Sequence, residues 1–236
     1  MPMHLDHYQL STRNIYETAQ ALREETGLGF YDGGYFSTGG IANKIFPLGG
    51  GTYLEVEGVV DAGAVATEPG AKTFFDRSAA GECFSLVSMR TDTLEELKAI
   101  ADRFGVPLAK SPVTRIRPNG PPVMAYSTPP GTHTGHDASG KEVKDPNRIG
   151  RVNWYCHEDR LYMHPAGQPV FNWPGLVDPQ GISFLEVGGT EQQMTEWLGV
   201  PASQFPYRYN GKAHGLYAIG VKTDRGEIVI RRPWRD

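Results

Sequence analysis

The chain has 236 residues and a hydrophobic content of 39%, enough for one large or two small cores. Its formal net charge of -4 gives nucleic acid no electrostatic attraction. Its apolar runs are strand-sized and no basic-then-apolar leader opens it, so a soluble cytoplasmic protein is expected, without membrane span or nucleic-acid partner. Cys83 and Cys156 lie outside any Cys-x-x-Cys motif, and two thiols make no disulfide framework, so both are expected reduced and buried.

Residues 5–10 alternate as a strand, with His7 and Gln9 on one face and Tyr8 and Leu10 on the other. Asn14-Ile15-Tyr16-Glu17 is a capping-box-like helix start, and Ile15, Ala19 and Leu22 follow at helical spacing until Gly27 stops the helix. In residues 53–57 the period-2 rule groups Tyr53, Glu55 and Glu57 opposite Leu54 and Val56. Residues 5–58 therefore read as strand, helix, strand, strand, strand. If the apolar faces pack under the helix, the opposite faces form a polar concave surface carrying an imidazole and a carboxylate. Such a surface is the start of a metal site or an acid/base site.

The succession Asp6-His7, Gly27, Gly33-Gly34, Gly40, Asn43, Pro47-Leu48-Gly49 and Tyr53-Leu54-Glu55 resembles the vicinal oxygen chelate superfamily, and most closely its glyoxalase-like domain group. The likeness rests on order and spacing over about a quarter of the chain. It implies βαβββ modules whose strongly curved, mostly antiparallel sheets surround a shared cleft. It also implies that His7 and Glu55 bind one divalent metal ion: zinc, manganese, iron or nickel. Phe36 stands where relatives often carry a His, and Ile41 where a Thr is common, so the substrate contacts of those polar groups do not carry over.

Two further segments repeat the pattern. A strand over 83–89 precedes the cap Thr93-Leu94-Glu95-Glu96, the stripe Leu94, Leu97, Ala101 and Phe104, and the stop Gly105-Val106-Pro107. A strand over 182–187 precedes the cap Thr190 with Gln193, the stripe Met194, Trp197 and Leu198, and the stop Gly199-Val200-Pro201. The expected fold class is α+β, with a first module over 1–60 and a connecting segment over 61–81. A second module spans 82–178 with a long polar loop over 128–150, and a third, shorter βαββ-type module spans 179–236. The loop carries His133, His136 and Asp137, and its length suits a cover over the cleft.

A catalytic metal takes three or more protein ligands. The opening strand of the second module offers no His, and Asn172 in Pro169-Val170-Phe171-Asn172-Trp173 stands where glyoxalase-like relatives can have an acid. On 153–158, Asn153, Tyr155 and His157 share a face, which makes His157 the preferred third ligand. His164, before Pro165, reads as a loop residue. Glu57 and Tyr53 are the candidate proton shuttles, and Gln9, Phe36, Tyr155, Asn172 and Trp173 the candidate substrate contacts. The expectation is a metal-assisted lyase, isomerase or ring-cleaving enzyme of this superfamily acting on a small organic metabolite, with a homodimer compatible. A metal-free binding or resistance protein of the same fold is the alternative. An oxygen-activating iron enzyme, a dioxygenase, would need a second His beside His7 and Glu55.

Overall fold

The structure is a computed structural model and describes residues 3–36, 40–104, 164–213 and 215–235, together with short strands between 109 and 157. Strand β1 (Met3–Ser11), helix α1 (Ile15–Thr26) and strands β2 (Tyr31–Phe36), β3 (Ile41–Gly49) and β4 (Thr52–Val59) form a first unit. Helices α2 (Ala62–Thr67) and α3 (Pro69–Arg77) lead to β5 (Cys83–Thr91) and α4 (Leu94–Phe104). The short strands β6 (Ala109–Ser111), β7 (Arg115–Ile116), β8 (Ala125–Ser127), β9 (Thr134–His136), β10 (Glu142–Lys144) and β11 (Val152–His157) follow. Last come β12 (Pro179–Val187), α5 (Glu191–Leu198), β13 (Tyr207–Tyr209), β14 (Leu216–Thr223) and β15 (Gly226–Arg231). No helix among the described residues is long and apolar enough to cross a membrane.

Local chemistry sets the helix ends. The Asn14 side chain accepts from the N–H groups of Tyr16 and Glu17 at the start of α1. Thr93 and Glu96 exchange side-chain bonds with each other's N–H groups before α4, and Thr190 and Gln193 do the same before α5. Gly27 and Gly199 end α1 and α5 at φ of 73° and 71°, where a side chain would be strained. Gly105 lies outside the described residues. The segment read as a connection, 61–81, contains α2 and α3. Its alanines are strong helix formers, the Asp61 side chain caps α2, and Pro69 opens α3.

Nine strands form one sheet in the order β6-β8-β11-β5-β1-β4-β3-β2-β7. In the first unit β1 lies parallel to β4, and β3 and β2 follow antiparallel. The second unit repeats this pairing, with β5 parallel to β11 and then β8 and β6 antiparallel. An antiparallel pairing of β1 with β5 joins the two units at the centre. Residues 112–114 alone separate β6 from β7, yet these strands hold opposite edges of the sheet. The connection reaches roughly 14 Å, whereas flat strands would set the edges about 38 Å apart. The sheet therefore curls strongly around the cleft on its inner face. Inside the loop 128–150, β9 and β10 pair antiparallel. Its other residues, with the expected cover over the cleft, lie outside those described.

The third segment shares the succession of elements but not the pairing. Its sheet runs β13-β12-β14-β15, so β12 lies parallel to β13 and antiparallel to β14 instead of pairing with the last strand. This sheet packs on the outer face of the large one. Tyr8, Leu10, Phe46, Leu54 and Val56 from the large sheet share one core with Ala19 and Leu22 of α1 and with Leu185, Val187, Trp197 and Ile219 of the third segment. Burial of such large side chains contributes about 2 kcal/mol each. Residues 233–235 tie down beside β5, where Phe84 N–H donates to the Pro233 carbonyl at 2.8 Å and Arg235 N–H to the Phe84 carbonyl at 3.1 Å.

Gly49 marks the tightest approach of the two sheets. At φ of 78°, a Cβ there would overlap the Pro179 carbonyl and stand 2.6 Å from the Gly181 nitrogen, both of them backbone. Gly49→Ala is expected to destabilise the protein by about 2 kcal/mol or more. Denaturant midpoints check this, and an unchanged midpoint would contradict the packing.

Candidate functional site

The alternation of β1 and β4 places His7, Gln9, Tyr53, Glu55 and Glu57 on the inner face of the curled sheet, and pairing sets His7 beside Tyr53 and Gln9 beside Glu55. These side chains are not an exposed polar face. His7, Tyr53, Glu55 and Glu57 are all buried, at 7%, 2%, 4% and 5% of full exposure. Buried carboxylates and imidazoles are costly unless each has a partner.

His7 is held from three sides. Its Nδ1 lies 2.9 Å from Asp6 Oδ1, its ring stacks on Tyr53 with centroids 4.8 Å apart, and its Nε2 faces Glu55 Oε2 at 3.5 Å. Asp6 is fully buried. Burial pushes its carboxyl up, but hydrogen bonds from His164 and His7 outweigh this and hold it well below the ordinary range. An ionised Asp6 accepts the Nδ1–H of His7, which turns Nε2 toward Glu55. A neutral Nε2 and a carboxylate oxygen are both acceptors, so their approach needs positive charge: a proton on Nε2 or a cation. Two ligand atoms about 2.1 Å from one tetrahedral ion stand roughly 3.4 Å apart. The pair therefore fits a divalent ion as two of its ligands.

Glu55 is braced on its other oxygen by the Asn43 amide, which donates to Oε1. Among the described residues Asn43 Oδ1 is buried without a hydrogen-bond partner. Gly33 makes room for this amide, since a Cβ there would overlap Asn43 Oδ1 and lie 2.5 Å from Ile45 Cγ1. Glu57 accepts from Gln9. Gln9 in turn accepts from Ser85 Oγ at 2.8 Å, and Ser85 contacts Ser11 Oγ at 2.8 Å. This chain fixes the Glu57 carboxylate on the face of the His7–Glu55 pair, two residues along β4 from Glu55.

Asp6 also reaches beyond His7. Its Oδ2 accepts from His164 Nε2 at 2.9 Å and lies 3.2 Å from Arg90 Nε. His164 takes the Ala166 N–H on Nδ1 at 3.2 Å, so its proton sits on Nε2. Its ring stands edge-on to Tyr53 at 5.6 Å. Arg90, His164, Ala166 and the Gly49–Gly51 turn line an open cavity of about 420 Å³ next to this cluster.

The candidates from sequence are distributed unevenly. His7, Glu55, Glu57, Tyr53 and Gln9 come together. Phe36 pairs with Ile41, the alternate neighbour of Asn43, on the inner side of β3. Trp173 and Asn172 are not on the inner face: Trp173 packs on Phe30 at 4.7 Å and under Arg23 of α1, and Asn172 beside it is exposed. The side chains of Tyr155 and His157 lie outside the described residues. Register puts Asn153 in the row of Ser88 and His7. His157 lies four residues further along β11, roughly 13 Å away. Among the described residues no three His, Cys, Asp or Glu side chains group as a metal site. Sequence reasoning missed Asp6, Asn43, Ser85, Arg90 and His164 as members of the cluster. Asp6 and Asn43 already stood in the motif, and the acid beside a strand His was the available signal.

Residues 5–140 match the model of a glyoxalase-like domain, more than half the chain. The fold is similar to that of a hypothetical protein from Staphylococcus aureus, at 14% identity and a TM-score of 0.56, covering 100% of this chain and 87% of that one. A methylmalonyl-CoA epimerase from Mycobacterium tuberculosis matches at 15% identity and a TM-score of 0.43, covering 67% of this chain and 90% of that one. No curated protein matches. On the family match and on paired βαβββ units around a His and Glu cleft, the chain belongs to the glyoxalase-like domain family of the vicinal oxygen chelate superfamily.

Proposed function

We propose that the protein is a metal-assisted enzyme of the vicinal oxygen chelate type that moves a proton on a small organic substrate, as a lyase or isomerase does. The observation that carries this is the approach of His7 Nε2 to Glu55 Oε2 at 3.5 Å, with Asp6 on the far nitrogen. His7 and Glu55 would hold the ion, with water or substrate oxygens in its other positions; His157, roughly 13 Å along β11 from the row of His7, would not reach it. A bound divalent ion polarises a substrate oxygen and stabilises negative charge beside it.

The chain's own part in the reaction lies with Glu57. Gln9 directs one Glu57 oxygen and burial limits competing water, which supports Glu57 as the group that takes a proton from a carbon next to a carbonyl. Tyr53 fixes the imidazole plane by stacking. A metal-free binding protein of the same fold is the second reading, supported by the two ligands that the described residues supply.

Small carbonyl compounds with an acidic α-hydrogen, incubated with metal-loaded protein in D2O, test the reading. Loss of the α-hydrogen NMR signal is expected. Glu57→Gln should slow it by about 100-fold or more while metal content stays unchanged. Binding without exchange across the panel would favour the second reading.

A further inference from the structure

The hydrogen-bond chain behind Glu57 has a direction. Gln9 Nε2 donates to Glu57 Oε2. The single hydroxyl proton of Ser85 goes to Gln9 Oε1 at 2.8 Å, so toward Ser11 Oγ, also 2.8 Å away, Ser85 can only accept. Every donor therefore points toward the Glu57 carboxylate, and bonds aligned in this way polarise one another. Ser11 and Ser85 are fully buried in the interiors of β1 and β5, where a hydroxyl is costly unless it is bonded. Among the described residues both hydroxyls bond only within this chain.

We propose that Ser85 is a positioning residue for the base of the reaction: acting through Gln9, it holds the Glu57 carboxylate in one orientation. The inference rests on reading Glu57 as the group that takes the substrate proton. An amide held at Nε2 alone can swing about its last side-chain bond, and the carboxylate it directs swings with it. The Ser85 bond to Oε1 pins the other end of the same amide. Ser11 occupies Ser85 from the far side, so the Ser85 hydroxyl has one direction left in which to donate. Such pinning matters because displacing a reacting group by about 1 Å can cost about 100-fold in rate. The opening strand of the second unit, which carries no His, thus serves the cleft through Ser85.

The test compares the parent with Ser85→Ala, Ser85→Cys and Ser85→Thr in the D2O exchange assay, with pyruvate and dihydroxyacetone among the carbonyl compounds. Ser85→Ala should lower kcat by about tenfold or more at unchanged KM and metal content. Ser85→Cys fills nearly the same volume with a weak donor and should share the loss. Ser85→Thr keeps the hydroxyl and should recover most of the rate. A hydroxyl that served folding alone would lower the melting temperature of the Ala and Cys variants and leave kcat where it was. A second readout needs no turnover: the side-chain amide signals of Gln9 in nitrogen-15 NMR, assigned by their absence in Gln9→Ala. They should move in Ser85→Ala and Ser85→Cys, and these two variants decide the matter if the added methyl of Thr prevents folding. A parent that exchanges no α-hydrogen would sink the proton-transfer reading itself. Gln9 signals unmoved in Ser85→Ala, or kcat unchanged there in an active parent, would overturn the role of Ser85.

Discussion

Asp6→Leu is expected to cost about 3–5 kcal/mol of stability, the largest effect of any single change in the cleft. One fully buried carboxylate serves His7, His164 and Arg90 together, so its removal leaves three polar groups without their shared partner. Asp6→Asn keeps the shape but removes the charge, and it should weaken metal binding by about 10- to 100-fold because His7 Nδ1–H then meets a neutral amide oxygen instead of an ionised carboxylate. A pH signature accompanies this. The folded-state carboxyl lies below its ordinary value of 3.8, so the stability it contributes is complete above that pH and drains away as the pH falls beneath it. Acid unfolding of the parent should take up one more proton than that of Asp6→Asn. Denaturation at several pH values measures both effects, and equal acid slopes would contradict the ionised, hydrogen-bonded Asp6.

His7→Ala and Glu55→Ala should each weaken divalent-metal binding by about 100-fold or more, with the fold retained. The expectation follows from position. Both side chains lie on the inner face, whereas the core that holds the sheets together is built from Tyr8, Leu10, Leu54 and Val56 on the other side of the same strands. Truncating an inner-face residue therefore removes a ligand without opening that core. Asn43 is expected to behave as a lesser version, since it acts on the metal only through Glu55. Metal titration alongside circular dichroism decides the matter: unchanged affinity in both Ala variants would place the metal elsewhere.

The parts of this architecture that were legible in sequence are those governed by short-range rules. Period-2 alternation assigned His7 and Glu55 to one face, and cap residues located α1, α4 and α5 within a residue or two. The third segment shows where such rules stop. Its strand, cap, helix and glycine stop look like those of the first two units, yet β12 pairs with β13 and β14, because pairing partners are chosen by packing across the whole molecule. Trp173 shows the same limit. Its neighbourhood resembled a late strand of the second unit, but the segment has no strand, and the ring packs on Phe30 and Arg23 of the outer face instead. His164 read as an ordinary loop residue because its partner Asp6 lies 158 positions away. Contacts at that separation leave no periodic trace in a single sequence.

We propose that the cleft between His7 and Glu55 holds a divalent ion. Elemental analysis of untagged protein purified without chelators tests it most directly. Close to one equivalent of zinc, manganese, iron or nickel per chain is the predicted result; no bound metal, even after dialysis against an excess of each ion, would contradict it.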